Sequence, residues 1–154
     1  WRARGNGMRR IAYDPWVAAD DPRWDDCKVE RAETLDDILP QCDAVSVHVA
    51  LTDDTTNMFN AETIAKMKDR AILLNLSRGG IVNEQALVDA LKSEKLWGAF
   101  TDVFVEEPLT QPNIFEGVPN LIATPHIGPR TEEGEGKVSS VTADNVLNCL
   151  KGEN

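Results

Sequence analysis

Residues 71–80 read Ala-Ile-Leu-Leu-Asn-Leu-Ser-Arg-Gly-Gly. An apolar run without alternation suits a parallel strand covered on both faces, and it predicts one over 71–76. Gly79 and Gly80 let the backbone turn sharply or approach a ligand closely. Open parallel sheets hold ligands beyond the carboxyl ends of their strands, and Arg78 stands at such an end. Its rigid five-donor fork suits a carboxylate or a phosphate. A helix cap or a surface ion pair would use the same residue equally well.

Outward from this stretch, short apolar runs alternate with amphipathic ones. Asn60 caps a helix reaching about Lys68, with Phe59 and Ile64 placed as a hydrophobic staple. Asn83 repeats the device with Val82 and Leu87, and Glu84 lies in the first turn, where the helix dipole favours an acid. Leu87, Ala90 and Leu91 form its inward stripe to about Lys95. Further strands are predicted over 10–14, 43–49, 97–104 and 120–125, with a short edge strand over 28–31. Thr34-Leu35-Asp36-Asp37 matches a capping box for a helix stopped by Pro40. Residues 16–26 read as an irregular loop whose aspartates form a solvated face. Trp1 to Asn6 reads as the last turn of a helix closed by Gly5 in the left-handed region. Thr131 caps a terminal helix with Val138, Val141, Val146 and Leu150 on one side. Gly134 and Gly136 weaken its start by ~1 kcal/mol each relative to Ala.

This alternation implies an α/β parallel sheet. The 154 residues fit one domain, and 42% hydrophobic content permits a real core. A net charge of −10 argues against a nucleic-acid binder. No apolar run approaches the ~20 residues of a membrane span, and no secretory apolar segment is present. Cys27, Cys42 and Cys149 are an odd count without metal-ligand spacing. They read as reduced packing residues of a cytoplasmic protein with no metal.

Asp14, Arg78, Asp102, Glu107 and His126 all fall at or just after the carboxyl end of a predicted strand. That shared edge points to a site. Arginine, glutamate and histidine in one crevice suit hydride transfer at a carbon bearing oxygen. His126 can protonate the forming alkoxide or act as base in reverse. Glu107 can orient the imidazole and favour its protonated form. Arg78 can grip the carboxylate of a 2-oxo or 2-hydroxy acid bidentately. The hydride must come from a cofactor, and Asp14 after the second strand suits a ribose. Asp102 could fix the cofactor's carboxamide. His48 reads as a hydrogen-bonded structural histidine.

Ile11 to Pro15, Leu74 to Gly80, Asp102 to Pro108 and Thr124 to Gly128 closely resemble the D-isomer-specific 2-hydroxyacid dehydrogenase family, in order and with family-like spacing. That family includes phosphoglycerate dehydrogenase, glyoxylate/hydroxypyruvate reductase and D-lactate dehydrogenase. The resemblance implies that Arg78 binds substrate, Glu107 pairs with the histidine and His126 transfers the proton. It implies NAD contacts at Asp14, Val49, Leu76, Ser77, Arg78, Asp102, His126 and Gly128, with Asp14 favouring NAD over NADP. It also implies a homodimer acting on a small 2-oxo or 2-hydroxy acid. Two departures stand out. Ala50 occupies a usual proline position, and Pro129 lacks the backbone donor of the small residue usual there.

No G-x-G-x-x-G occurs in the sequence. Family members carry it between a first strand and its helix, centrally in the strand order 3-2-1-4-5-6. The expectation is therefore a Rossmann-like doubly wound parallel sheet lacking its first strand and glycine-rich turn. It forms a partial NAD-binding domain over 1–154 without the N-terminal substrate domain, inactive alone. Strands 10–13 and 43–49 would each lose a neighbour mid-sheet. Two alternatives are a non-catalytic NAD-sensing protein of the co-repressor type, and an unrelated Rossmann-like enzyme such as a methyltransferase.

Overall fold

The computed structural model describes residues 2–128 and 130–152, so the expectations for Trp1 and Pro129 fall outside the described residues. In chain order the strands are β1 (Ile11–Ala12), β2 (Glu30–Arg31), β3 (Ala44–Val47), β4 (Ala71–Asn75), β5 (Leu96–Thr101) and β6 (Leu121–Ala123). The helices are α1 (Arg2–Gly5), α2 (Arg23–Cys27), α3 (Leu35–Ile38), α4 (Ala61–Lys66), α5 (Glu84–Lys92) and α6 (Glu132–Lys151).

Strands β3-β4-β5-β6 form one sheet in that order, and β1 pairs with β2 separately. Every pairing is parallel. Strand for strand, this is the Rossmann-like arrangement. Among the described residues β1 has only β2 beside it and β3 only β4, as expected for strands that lose a central neighbour. A side-chain link ties the two pieces. Arg9 donates to Glu30 from Nε at 2.8 Å and Nη2 at 2.5 Å, and to Gln41 Oε1 from Nη1 at 2.8 Å.

Helices α4 and α5 pack together and cover one sheet face. Leu73, Val45, Val47 and Ala99 from the sheet are buried with Ile64, Leu87, Val88 and Leu91. Each large apolar side chain so buried contributes roughly 1.5–3 kcal/mol. The caps act as read. Asn60 Oδ1 accepts from the Glu62 and Thr63 N–H groups, and Asn83 Oδ1 accepts from Ala86 N–H. Both staples are buried, and Phe59 and Val82 meet across a parallel bridge. Thr34 and Asp37 complete the capping box of α3.

The other sheet face departs from expectation. Ile72 and Leu74 are only half-buried, so β4 is fully covered on one side rather than two. Neither α1 nor α6 buries a residue and so neither supplies cover. The apolar side of α6 faces solvent, with Val138 61% and Leu150 79% exposed. At the start of the chain Gly7, at φ +72°, is the left-handed cap, not Gly5. Gly7 N donates to Arg4 O and Met8 N to Ala3 O, which closes the helix one residue pair later. The expected irregular loop over 16–26 instead contains α2, and the Arg10 guanidinium donates to the Cys27 and Lys28 carbonyls at its end. Cys27 and Cys149 are exposed and only Cys42 is part-buried, so two of the three cysteines do not pack.

Candidate active site

Four adjacent parallel strands deliver their following loops to one edge. Val49 follows β3, Leu76 to Arg78 follow β4, Asp102 follows β5, and His126 lies just past β6. The first two loops are tied together. Ser77 Oγ donates a short hydrogen bond to Val49 O. Asn75, buried at the end of β4, accepts from Ser77 N at 3.2 Å and donates to Arg78 O at 3.0 Å, which shapes the 76–78 turn.

Gly79 explains the contact with the next loop. A Cβ there would lie 1.8 Å from Phe104 O and 2.6 Å from Val105 N, so no other residue fits without moving the backbone. That backbone carries the site. Phe104 N donates to Glu107 Oε1 at 2.9 Å, and Val105 N donates to Glu84 Oε1 at 2.8 Å. Glu107 Oε2 lies 2.7 Å from His126 Nδ1. The hydrogen bond with His126, followed by that from Phe104 N–H, holds the Glu107 carboxyl below its usual range against a smaller opposing effect of burial.

Asp102 locks the His126 loop from beneath. It is 5% exposed. Its Oδ1 accepts from Thr124 Oγ1 at 2.5 Å and Ile127 N at 2.9 Å, and its Oδ2 from Gly128 N at 2.8 Å. Burial alone would raise its pKa. The Thr124 hydroxyl, the two N–H groups and the nearby His126 together outweigh burial and lower it. A Cβ on Gly128 would press to 2.9 Å from Oδ2, so this residue also fits the grip. Within this loop His126 sits at φ +53°, a left-handed conformation that costs a non-glycine residue roughly 1–2 kcal/mol.

A cleft of 480 Å³ opens beside the pair, lined by Phe104, Glu107, Pro108, Leu109, Pro125, His126 and Arg130. Thus Glu107 and His126 are brought together. Arg78 is exposed, and its Nη1 donates to Ser77 O at 2.7 Å, so its guanidinium rests on its own loop rather than in the cleft. Its neighbour Gly79 nevertheless abuts the Phe104 backbone that holds Glu107. Asp14 follows β1 on the separate two-stranded piece, and its Oδ1 accepts from Trp16 N at 3.0 Å. His48 Nε2 is bonded to Ser46 Oγ at 2.8 Å, as expected of a structural histidine. Leu76 is 45% exposed at the sheet edge.

Sequence reasoning gave Glu84 a dipole role only, whereas it clamps Val105. It passed over Asn75, Thr124 and Arg130. Asn75 carried a signal, being a polar residue inside an apolar strand. The Thr124 contact with Asp102 and the place of Arg130 on the cleft wall depend on loop geometry that spacing does not reveal.

Residues 1–128 match the family model described as "D-isomer specific 2-hydroxyacid dehydrogenase, NAD binding domain". The chain is 47% identical over 149 residues to an (S)-sulfolactate dehydrogenase of Chromohalobacter salexigens, covering 97% of this chain and 48% of that protein. It is 38% identical over 150 residues to a D-3-phosphoglycerate dehydrogenase of Synechocystis, covering 97% of this chain and 26% of that one. A solved glyoxylate reductase from Paecilomyes thermophila superposes with a TM-score of 0.86 at 30% identity, over 97% of this chain and 44% of that chain. The chain therefore spans about half the length, or less, of the relatives it matches.

The residues present fit part of a dinucleotide. Asp14 Oδ2 makes no hydrogen bond among the described residues and so can accept from ribose hydroxyls, and exposed Leu76 offers an apolar contact for a flat ring. The sequence contains no G-x-G-x-x-G turn for the diphosphate.

Proposed function

Since this chain belongs to the D-isomer specific 2-hydroxyacid dehydrogenase family, we propose that it supplies the NAD-binding domain and proton-transfer pair of such an enzyme. The reaction is oxidation of the CH–OH group of a D-2-hydroxy acid, or reduction of the 2-oxo acid in reverse. Family membership leaves no place for the unrelated methyltransferase reading. The observation that carries the proposal is the Glu107–His126 contact of 2.7 Å at the cleft wall.

NAD, when bound, accepts or supplies the hydride. The residues of this chain do the rest. Glu107, fixed by Phe104 N–H, engages His126 Nδ1 and so sets the ring's orientation and tautomer. Nε2 is then the atom left to exchange a proton with the substrate oxygen. In the reducing direction His126 gives that proton to the forming alkoxide, and in the oxidising direction it takes it back. Arg78, unpaired with any acid among the described residues, turns from its Ser77 carbonyl to grip the substrate carboxylate. Val49, Leu76, Ser77 and Gly128 line the cofactor side of the edge, Asp102 holds Gly128 in place there, and Asp14 takes the ribose.

In this reading the 154 residues are a partial domain that binds NAD weakly alone and gains activity with a substrate domain, as a homodimer. Calorimetric titration of NAD into the chain tests the first point, where micromolar affinity would refute it. Adding the substrate domain should give NADH-dependent reduction of a 2-oxo acid that His126→Ala abolishes. NAD binding without any turnover of 2-oxo acids would instead favour the NAD-sensing, co-repressor reading.

A further inference from the structure

The cleft beside Glu107 and His126 has a second, unassigned polar wall. Arg130 lines it, is exposed, and has no side-chain hydrogen bond or acidic partner among the described residues. Acids are in excess in this chain, where Asp and Glu number 26 against 16 Lys and Arg. Four other arginines find acids, whereas among the described residues Arg78, at the same sheet edge, does not. Arg9 pairs with Glu30, Arg23 with Asp21, Arg31 with Glu33 and Arg70 with Glu94. The rest of the cleft wall is apolar, from Phe104, Pro108, Leu109 and Pro125. A low-polarity wall strengthens a charge-assisted hydrogen bond formed against it. Glu107 is held by Phe104 N–H and His126 and makes no ion pair with Arg130.

We infer that Arg130 selects substrates carrying a second anionic group, a carboxylate, sulfonate or phosphate, at the end of the 2-hydroxy acid remote from its own carboxylate. This rests on the reading of the cleft as the 2-hydroxy acid site. The two anionic ends are divided between two forks. Arg78 holds the C1 carboxylate from the β4 loop, and Arg130 holds the distal group from the loop after β6. His126, which faces the same cleft as Arg130, serves the carbinol carbon. The guanidinium plane matches any of these three anions bidentately, so the residue sets charge class rather than one named acid.

The test compares D-malate with D-2-hydroxybutyrate, which have the same carbon count and differ by one carboxylate. Each is titrated into the chain joined to its substrate domain, with saturating NADH present, and binding is read from the His126 imidazole proton shift. The chain should bind D-malate about ten-fold more tightly. Arg130→Met should erase that preference and leave D-2-hydroxybutyrate binding unchanged. Arg130→Lys should retain part of it. Arg70→Met removes an equal charge at the opposite end of β4 and should leave the preference intact. Amide spectra confirm that each variant folds. Equal affinity for both acids, or a preference that survives Arg130→Met, would overturn the inference while leaving the 2-hydroxy acid reading standing. If neither acid moves the His126 signal, both fail together.

Discussion

Replacing Asp102 should separate loop geometry from simple burial. Its carboxylate receives three donors, from Thr124, Ile127 and Gly128. A hydrogen bond to a charged group contributes roughly 1.5–3 kcal/mol net. Asp102→Asn keeps the shape and retains Oδ1 for Thr124 and Ile127, but turns an N–H₂ group toward the Gly128 N–H. That loses one charged bond and sets two donors face to face, at a cost of about 2–3 kcal/mol. Asp102→Ala strips all three and should cost roughly 4–6 kcal/mol, a large part of the 5–15 kcal/mol that holds an ordinary domain together. For a chain of this size each kcal/mol lowers Tm by about 2–4 °C, so the Asn variant should melt roughly 5–10 °C early. A structural effect on the site should accompany it. Without the grip on residues 127 and 128, His126 can leave its left-handed conformation and the contact to Glu107 should open. Calorimetry gives the first number, and the His126 Nδ1 signal gives the second. An Asn variant that melts within ~2 °C of the parent and keeps the Nδ1 hydrogen bond would refute the account.

Two further outcomes follow from the same loops. Gly79→Ala must push Phe104 O from 1.8 Å to normal contact. Shifting the donors to Glu107 and Glu84 by that amount should cost several kcal/mol and broaden or displace the His126 resonance, whereas Gly136→Ala, with open space around it, should do neither. Glu107 and Asp102 both have pKa values below the ordinary carboxylate range. Their contribution to stability is therefore complete above that range and is lost as pH falls through their folded values. Tm should drop below about pH 4.5, and the drop should shrink in Glu107→Gln, as followed by melting across pH 3–7.

Much of this was legible because it is local. Asn60, Asn83, Thr34 and Thr131 announce their helices, since a cap bonds to N–H groups two or three residues away. That Arg78, Asp102, Glu107 and His126 follow strands of one sheet was legible because its parallel strands all end on the same side, whereas Asp14 follows β1 of the separate pair. What sequence could not show is contact between loops. Nothing in the spacing says that Gly79 meets Phe104, that Glu84 clamps Val105, or that Asp102 is wholly taken up by the His126 loop. Strand ends also escaped. The strand expected over 97–104 stops at Thr101, whose hydroxyl donates ahead to Val103 O. The solvent-facing valines of α6 and the half-covered β4 share one cause. Apolar periodicity records which side is meant to be buried and says nothing of what covers it.

The site divides by how firmly its parts are held. Glu107, His126 and Asp102 are tied by backbone donors or to one another, so the geometry proposed for proton transfer exists before any ligand arrives. This is where preorganisation has most value, since a 1 Å misplacement can cost about a hundred-fold in rate. Arg78, Arg130 and Leu76 are exposed, and neither guanidinium has an acidic partner among the described residues. Ordering each arginine on a ligand costs roughly 0.5–1.5 kcal/mol, which a bidentate charge-assisted contact exceeds. Such a division lets the chemistry stay fixed while recognition varies. Changing the length or charge of the residue at 130 should then alter which acid binds, without disturbing how His126 is aimed.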